Sequence, residues 1–152
     1  VNYTGILRVG VCTLVLSAIC GLTACGGASD EARSLVETVG KLDSSVSVGI
    51  NYTDYTAEVR EAKAAIDNFR PQSRRDRDIE DELSKAVDFY LIAHEAWQAD
   101  IDDTLHLMPE DYWANKYPDL EFTITRRPTA DMVRQEAWAR AAEHVEAARE
   151  LQ

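Results

Sequence analysis

This sequence predicts an all-α fold: a small up-and-down bundle or array of about four helices with one long aromatic crossover loop. Three observations carry that reading. Apolar residues recur at spacings of three and four in four separate segments, the mark of an amphipathic helix. Two of the connections between these segments are short, and the third occupies residues 109–128. The 152 residues allow one domain with a modest core. A charge of -11, from 27 acidic residues against 16 Lys and Arg, argues against nucleic acid as a partner, because a binding groove needs a basic stripe.

The N-terminus differs from the rest. Residues 1–28 carry one charged side chain, Arg8, and no acid, and Val9 to Leu22 is an apolar run of small residues. That run has the length of a signal-peptide core and is short for a membrane span, which takes roughly 20 apolar residues. It ends in Leu22-Thr23-Ala24-Cys25, followed by Gly26 and Gly27. This ending resembles the lipobox of bacterial lipoprotein precursors. The resemblance implies that residues 1–24 are a signal peptide, that Cys25 is acylated (palmitate being one such chain) and that Cys25 becomes the first residue. It further implies attachment to a membrane of the bacterial cell envelope on the extracytoplasmic side. An ordinary secretory peptide cut near Ala24, or a retained signal anchor, are the alternatives.

Processing would leave a single cysteine of the three, Cys25, so no internal disulfide can form and the core alone must hold the domain. It removes one base and no acid, taking the formal charge to -12. A domain of that charge is repelled by anionic lipid, so the acyl chains are expected to hold it at the membrane.

Residues 25–29 form a short tether, and residues 30–152 a single helical domain. Ser29 is the expected cap of the first helix, with Asp30 and Glu31 at its positive end. Leu35, Val39, Leu42 and Val46 make its stripe, and Gly49 breaks the phase. In the second segment Tyr52, Tyr55, Val59, Ala62, Ile66 and Phe69 form the stripe. Thr53 is the expected cap, and Pro71 ends the helix by disfavouring it at Arg70. The two tyrosines read as the wide end of the core with their hydroxyls reaching water. Residues 72–78 (QSRRDRD) read as a solvated connection, with a phosphate or headgroup patch as the alternative, since Asp76 and Asp78 interleave with Arg74, Arg75 and Arg77.

The third stripe is the longest: Ile79, Leu83, Val87, Tyr90, His94, Trp97, Ile101 and Leu105, over roughly residues 76–107, about 48 Å of helix ended by Pro109. Residues 109–128 have no helical period, but hold Tyr112, Trp113, Tyr117 and Phe122 and a short alternating run from Leu120 to Ile124. A connection of this length tends to be functional or loosely ordered. The expectation is an ordered cap over the helices whose exposed aromatic edge binds another envelope protein or a small amphiphile. Trp113 is the preferred contact, and its rival role is a plug closing the bundle. Thr129 caps the last segment, where Val133, Ala137, Ala141, His144, Ala148 and Leu151 form the stripe and Trp138 widens it.

Chemistry-bearing motifs are sparse. A di-metal bundle needs two Glu-x-x-His pairs and two further glutamates. The sequence offers one Asp103-x-x-His106, with Asp102 beside it, and lone histidines His94 and His144 on separate stripes. Zinc or haem held by His94, His106, His144 and Asp103 is therefore the weaker alternative, and the expectation is no cofactor. No nucleophile elbow, zinc-protease motif or phosphate loop occurs, and Asp100, Asp102 and Asp103 diverge on a helix. The expected function is a non-enzymatic interaction or accessory domain, with small-ligand binding under residues 109–128 as the alternative.

Overall fold

A computed structural model describes residues 27–104, 107–109, 111–118, 120 and 128–152. Among the described residues five helices follow one another: α1 (Asp30–Val48), α2 (Tyr52–Asn68), α3 (Arg74–Ile101), the short α4 (Tyr112–Lys116) and α5 (Ala130–Glu150). The all-α class stands, and no described residue lies in a strand. None of the described helices is long and apolar enough to cross a membrane.

The pairing of side chains gives the topology. Lys41 meets Glu61 and Ser45 meets Glu58, so α1 and α2 are antiparallel. Tyr52 reaches His94 while Tyr55 reaches the carbonyl of Tyr90, which sets α2 against α3 in the same sense. Glu82 pairs with His144, and Trp97 packs on Trp138, making α3 and α5 antiparallel. Ser29 bonds Asp76 and Asp43 accepts from Tyr90, so α1 runs parallel to α3. Arg149 of α5 returns to Asp43 of α1 and closes the ring. The result is an up-and-down bundle of four long helices, with α4 in the long crossover between α3 and α5.

Local chemistry sets the helix ends. Ser29 and Thr129 cap α1 and α5 as expected, each accepting a backbone N–H three residues on. Asn51, not Thr53, caps α2 through the N–H of Asp54 at 3.0 Å. The three-residue link before it turns at Gly49, whose φ of 96° suits a residue without Cβ. At the other end Phe69 leaves the helix in extended conformation, two residues before Pro71.

Two boundaries differ from the sequence reading. Residues 74–78 are the first turn of α3, not a free connection, because Ser73 and Asp76 form a reciprocal capping box. The far end of α3 stops at Ile101, well before Pro109. Asp103 adopts a φ of 50°, its N–H bonds the carbonyl of Asp100, and the Thr104 N–H bonds that of Ala99 at 3.1 Å. This is a Schellman turn with aspartate in place of the usual glycine. Ile101, expected on the buried stripe, stands outside it as a consequence.

The main core collects Leu35, Val39, Leu42, Tyr55, Val59, Ile79, Leu83, Val87, Tyr90 and Val145. The α3–α5 seam is lined by alanines (Ala86, Ala93, Ala96 and Ala99 against Ala130, Ala137, Ala141 and Ala148), which let the two backbones approach along most of their length.

Candidate functional site

Tyr55 organises the polar centre of the bundle. It is fully buried, contrary to the expectation that its hydroxyl reaches water. Its Oη donates to the Tyr90 carbonyl at 2.7 Å and accepts from Trp138 Nε1 at 3.0 Å. Burial pushes the phenol far above its ordinary pKa, so it stays protonated as a donor. Trp97 and Trp138 stand edge to face with ring centroids 5.6 Å apart, and Arg134 lies over both. These rings join α2, α3 and α5 into one packed unit.

The histidines do not converge. His94 faces α2: its Nε2 lies 3.1 Å from both Tyr52 Oη and Thr56 Oγ1, and its ring stacks on Tyr52. Burial, aided by Arg60, lowers its pKa and favours the neutral ring. His144 instead places Nδ1 2.7 Å from Glu82 Oε2 and stacks on Phe89. Lys85 first, then His144, holds the Glu82 carboxyl below its usual range. Asp103 sits in the α3 terminal turn, and His106 lies outside the described residues. Among the described residues no three His, Cys, Asp or Glu side chains gather as a metal-binding group.

The crossover is fastened by a residue that the sequence reading missed. Glu95, beside His94 on α3, accepts from Tyr112 Oη at 3.3 Å and from Lys116 Nζ and Tyr117 Oη. Partial burial opposes its charge, but Lys116 and the two phenols outweigh that and lower its pKa. Burial pushes Tyr117 up to about 12, with Glu95 reinforcing the shift. The clasp at neutral pH is thus a carboxylate and an ammonium, with the Tyr117 phenol protonated as a donor. No local pattern pairs a helix-surface glutamate with partners 17 to 22 residues later, so sequence periodicity carries no trace of it.

Trp113 turns inward beneath the clasp. It is 4 % exposed and packs with Ala96, Ala99, Leu120, Ala130 and Val133. Its expected role as an exposed anchor is therefore corrected: the ring is the plug between the end of α3 and the start of α5. Tyr112 and Tyr117 are half-buried with their hydroxyls spent on Glu95, while Phe122 lies outside the described residues. Among the described residues of the expected aromatic edge, only the flanks of Tyr112 and Tyr117 reach the surface.

A groove of about 250 Å³ runs beside the clasp. Phe89, Ile92, Tyr117 and Leu120 give it an apolar lining, and Lys85, Lys116 and Asp88 stand at its rim. At the end of the bundle remote from Ser29, large apolar side chains face water: Val48 is 84 % exposed, Leu107 73 % and Ile101 52 %. Cys25, the expected lipidation site, lies outside the described residues. The chain matches no protein-family model, and no curated protein or solved structure matches it either.

Proposed function

We propose that this chain is a lipid-anchored domain of the bacterial cell envelope, joined to the membrane through Cys25, that binds another envelope protein without catalysing a reaction. The observation that carries the reading is the opposition of its two ends. Ser29, four residues after Cys25, begins one end of the bundle, and the exposed Val48, Ile101 and Leu107 lie toward the other. Large apolar side chains left in water favour burial against a partner. Asp54, Asp100, Asp102 and Asp103 are exposed at the same end, which suits a partner that offers apolar and basic groups.

The test has two readouts on protein extracted from membranes. Mass spectrometry is expected to find a chain beginning at acylated Cys25; retention of residues 1–24 refutes the anchor. Crosslinked partner is expected with wild-type protein and to be lost in a Val48→Asp, Leu107→Asp variant of unchanged helicity. Equal crosslinking by both refutes the apolar end as the contact.

The groove supports a second reading, a small amphiphile with an anionic head, because its apolar lining lies between Lys85 and Lys116. A Phe89→Trp reporter whose emission does not change on titration with a fatty acid refutes that reading.

A further inference from the structure

We propose that Arg70, Arg74, Arg75 and Arg77, at the end of the bundle next to the tether, form a docking surface for the anionic headgroups of the phospholipid bilayer. The inference rests on the lipid-anchor reading of Cys25. The same arginines look neutralised in sequence, where aspartates alternate with them. The fold withdraws one of those two aspartates, Asp76, from the surface.

Asp76 is 0 % exposed. Its carboxylate is turned inward, accepting the N–H groups of Ser29 at 3.0 Å, Gln72 at 3.1 Å and Ser73 at 3.1 Å. That leaves the four arginines exposed on the α2–α3 connection and the first turn of α3. Arg70 rests on the carbonyls of Asp67 and Phe69. Arg74, Arg75 and Arg77 make no ion pair with any described residue. They also stand at the positive end of a helix, where the macrodipole disfavours cations, so folding gains nothing from them there.

The surrounding charges are mixed. Asp30 pairs with Arg33, Asp67 with Lys63 and Glu146 with Arg149, while Glu31, Asp78 and Glu150 are exposed. The acids of the opposite end, Asp54, Asp100, Asp102 and Asp103, make the bundle electrically polar along its axis despite its negative total.

The geometry then sets the orientation. Asp76 ties the backbone of Ser29 directly to the arginine-bearing turn. Ser29 lies four steps of chain beyond Cys25, a reach of at most about 14 Å even when fully extended. An acylated Cys25 would hold the turn within reach of the headgroups, where each basic side chain strengthens association with an anionic surface about fivefold. The bundle would stand upright, with Val48 some 28 Å of helix farther out.

The test uses the full chain, processed in cells, purified in detergent and reconstituted into phosphatidylcholine vesicles with or without phosphatidylglycerol. Mass spectrometry of the same sample reads the state of Cys25. A dye on Gln72→Cys, or on Val48→Cys, reports energy transfer to a headgroup acceptor. With phosphatidylglycerol, transfer from position 72 is expected to exceed that from position 48 at least twofold. The excess should fall to the pure phosphatidylcholine level in the Arg74→Gln, Arg75→Gln, Arg77→Gln variant and in about 1 M salt, where the screening length is about 3 Å. Transfer from position 72 that ignores lipid charge, salt and the three arginines overturns the proposal. If Cys25 proves unmodified, the anchor reading fails separately. The docking surface then stands only if flotation with phosphatidylglycerol vesicles is lost on removing the three arginines, and falls if it is not.

Discussion

Replacing Asp76 with alanine tests the most consequential contact in the fold. The wild-type carboxylate is fully buried and accepts three backbone N–H groups, two from the α2–α3 connection and one from the start of α1. Removing it leaves all three without that acceptor, each costing about 1–3 kcal/mol if nothing replaces it. Ser29 and Ser73 are half-buried and Gln72 exposed, so water recovers part of the loss, and the expected penalty is about 3–5 kcal/mol. A helical domain of about 125 residues unfolds with an entropy of roughly 0.26 kcal/mol/K, so the melting temperature should fall by about 12–20 °C.

The pH dependence has a definite sign. Burial acts to raise the Asp76 pKa, but the hydrogen bonds from Ser29, Gln72 and Ser73 prevail and lower it. A carboxyl with a lowered folded pKa contributes its full stability above the unfolded value, about 4, and loses it as pH falls through the folded one. The gap between wild type and Asp76→Ala should therefore narrow as the pH falls from about 7 to about 3. Thermal melts followed by circular dichroism at both pH values measure it. A fall of less than about 4 °C at neutral pH, or a gap that widens in acid, refutes the account of Asp76 as an ionised acceptor.

Two further outcomes follow from the crossover. Trp113→Ala empties the space between Ala96, Leu120 and Val133, and should cost about 3–5 kcal/mol in chemical denaturation; a loss below about 1 kcal/mol contradicts the plug. Glu95→Gln, which keeps the shape but removes the charge that Lys116 faces, should speed proteolytic cleavage between α3 and α5 while the four long helices persist. Because its pKa is lowered in the fold, wild-type protein should keep the clasp into the ordinary glutamate range and show the same cleavage only as the pH falls below that range, and cleavage independent of pH argues against an ionic clasp.

The bundle was legible in the sequence because its signals are local. Alternating spacings of three and four place Leu35, Val59, Leu83 and Val133 on buried stripes whatever their partners, and Ser29 and Thr129 cap helices through an N–H three residues away. The end of α3 was not legible. The apolar pattern continues to Leu105, but the turn at Asp103 depends on backbone bonds whose register no side-chain spacing records. The crossover was half legible: its aromatic density marked it for packing against the helices, yet that Trp113 faces inward depends on the alanines of α3 and α5 that leave room for it.

The sequence by itself determined the helical class, the four amphipathic faces and the resemblance of Leu22–Cys25 to a lipobox, since each resides in neighbours along the chain. Tertiary structure alone decided which charges are spent and which are free. Asp76 and Glu95 read as ordinary solvated acids until the fold brings Ser29 to one, 47 residues away, and Tyr112, Lys116 and Tyr117 to the other. A carboxylate's surroundings are set by the packing of distant segments. Only that packing hides Asp76 and leaves Arg74, Arg75 and Arg77 in water.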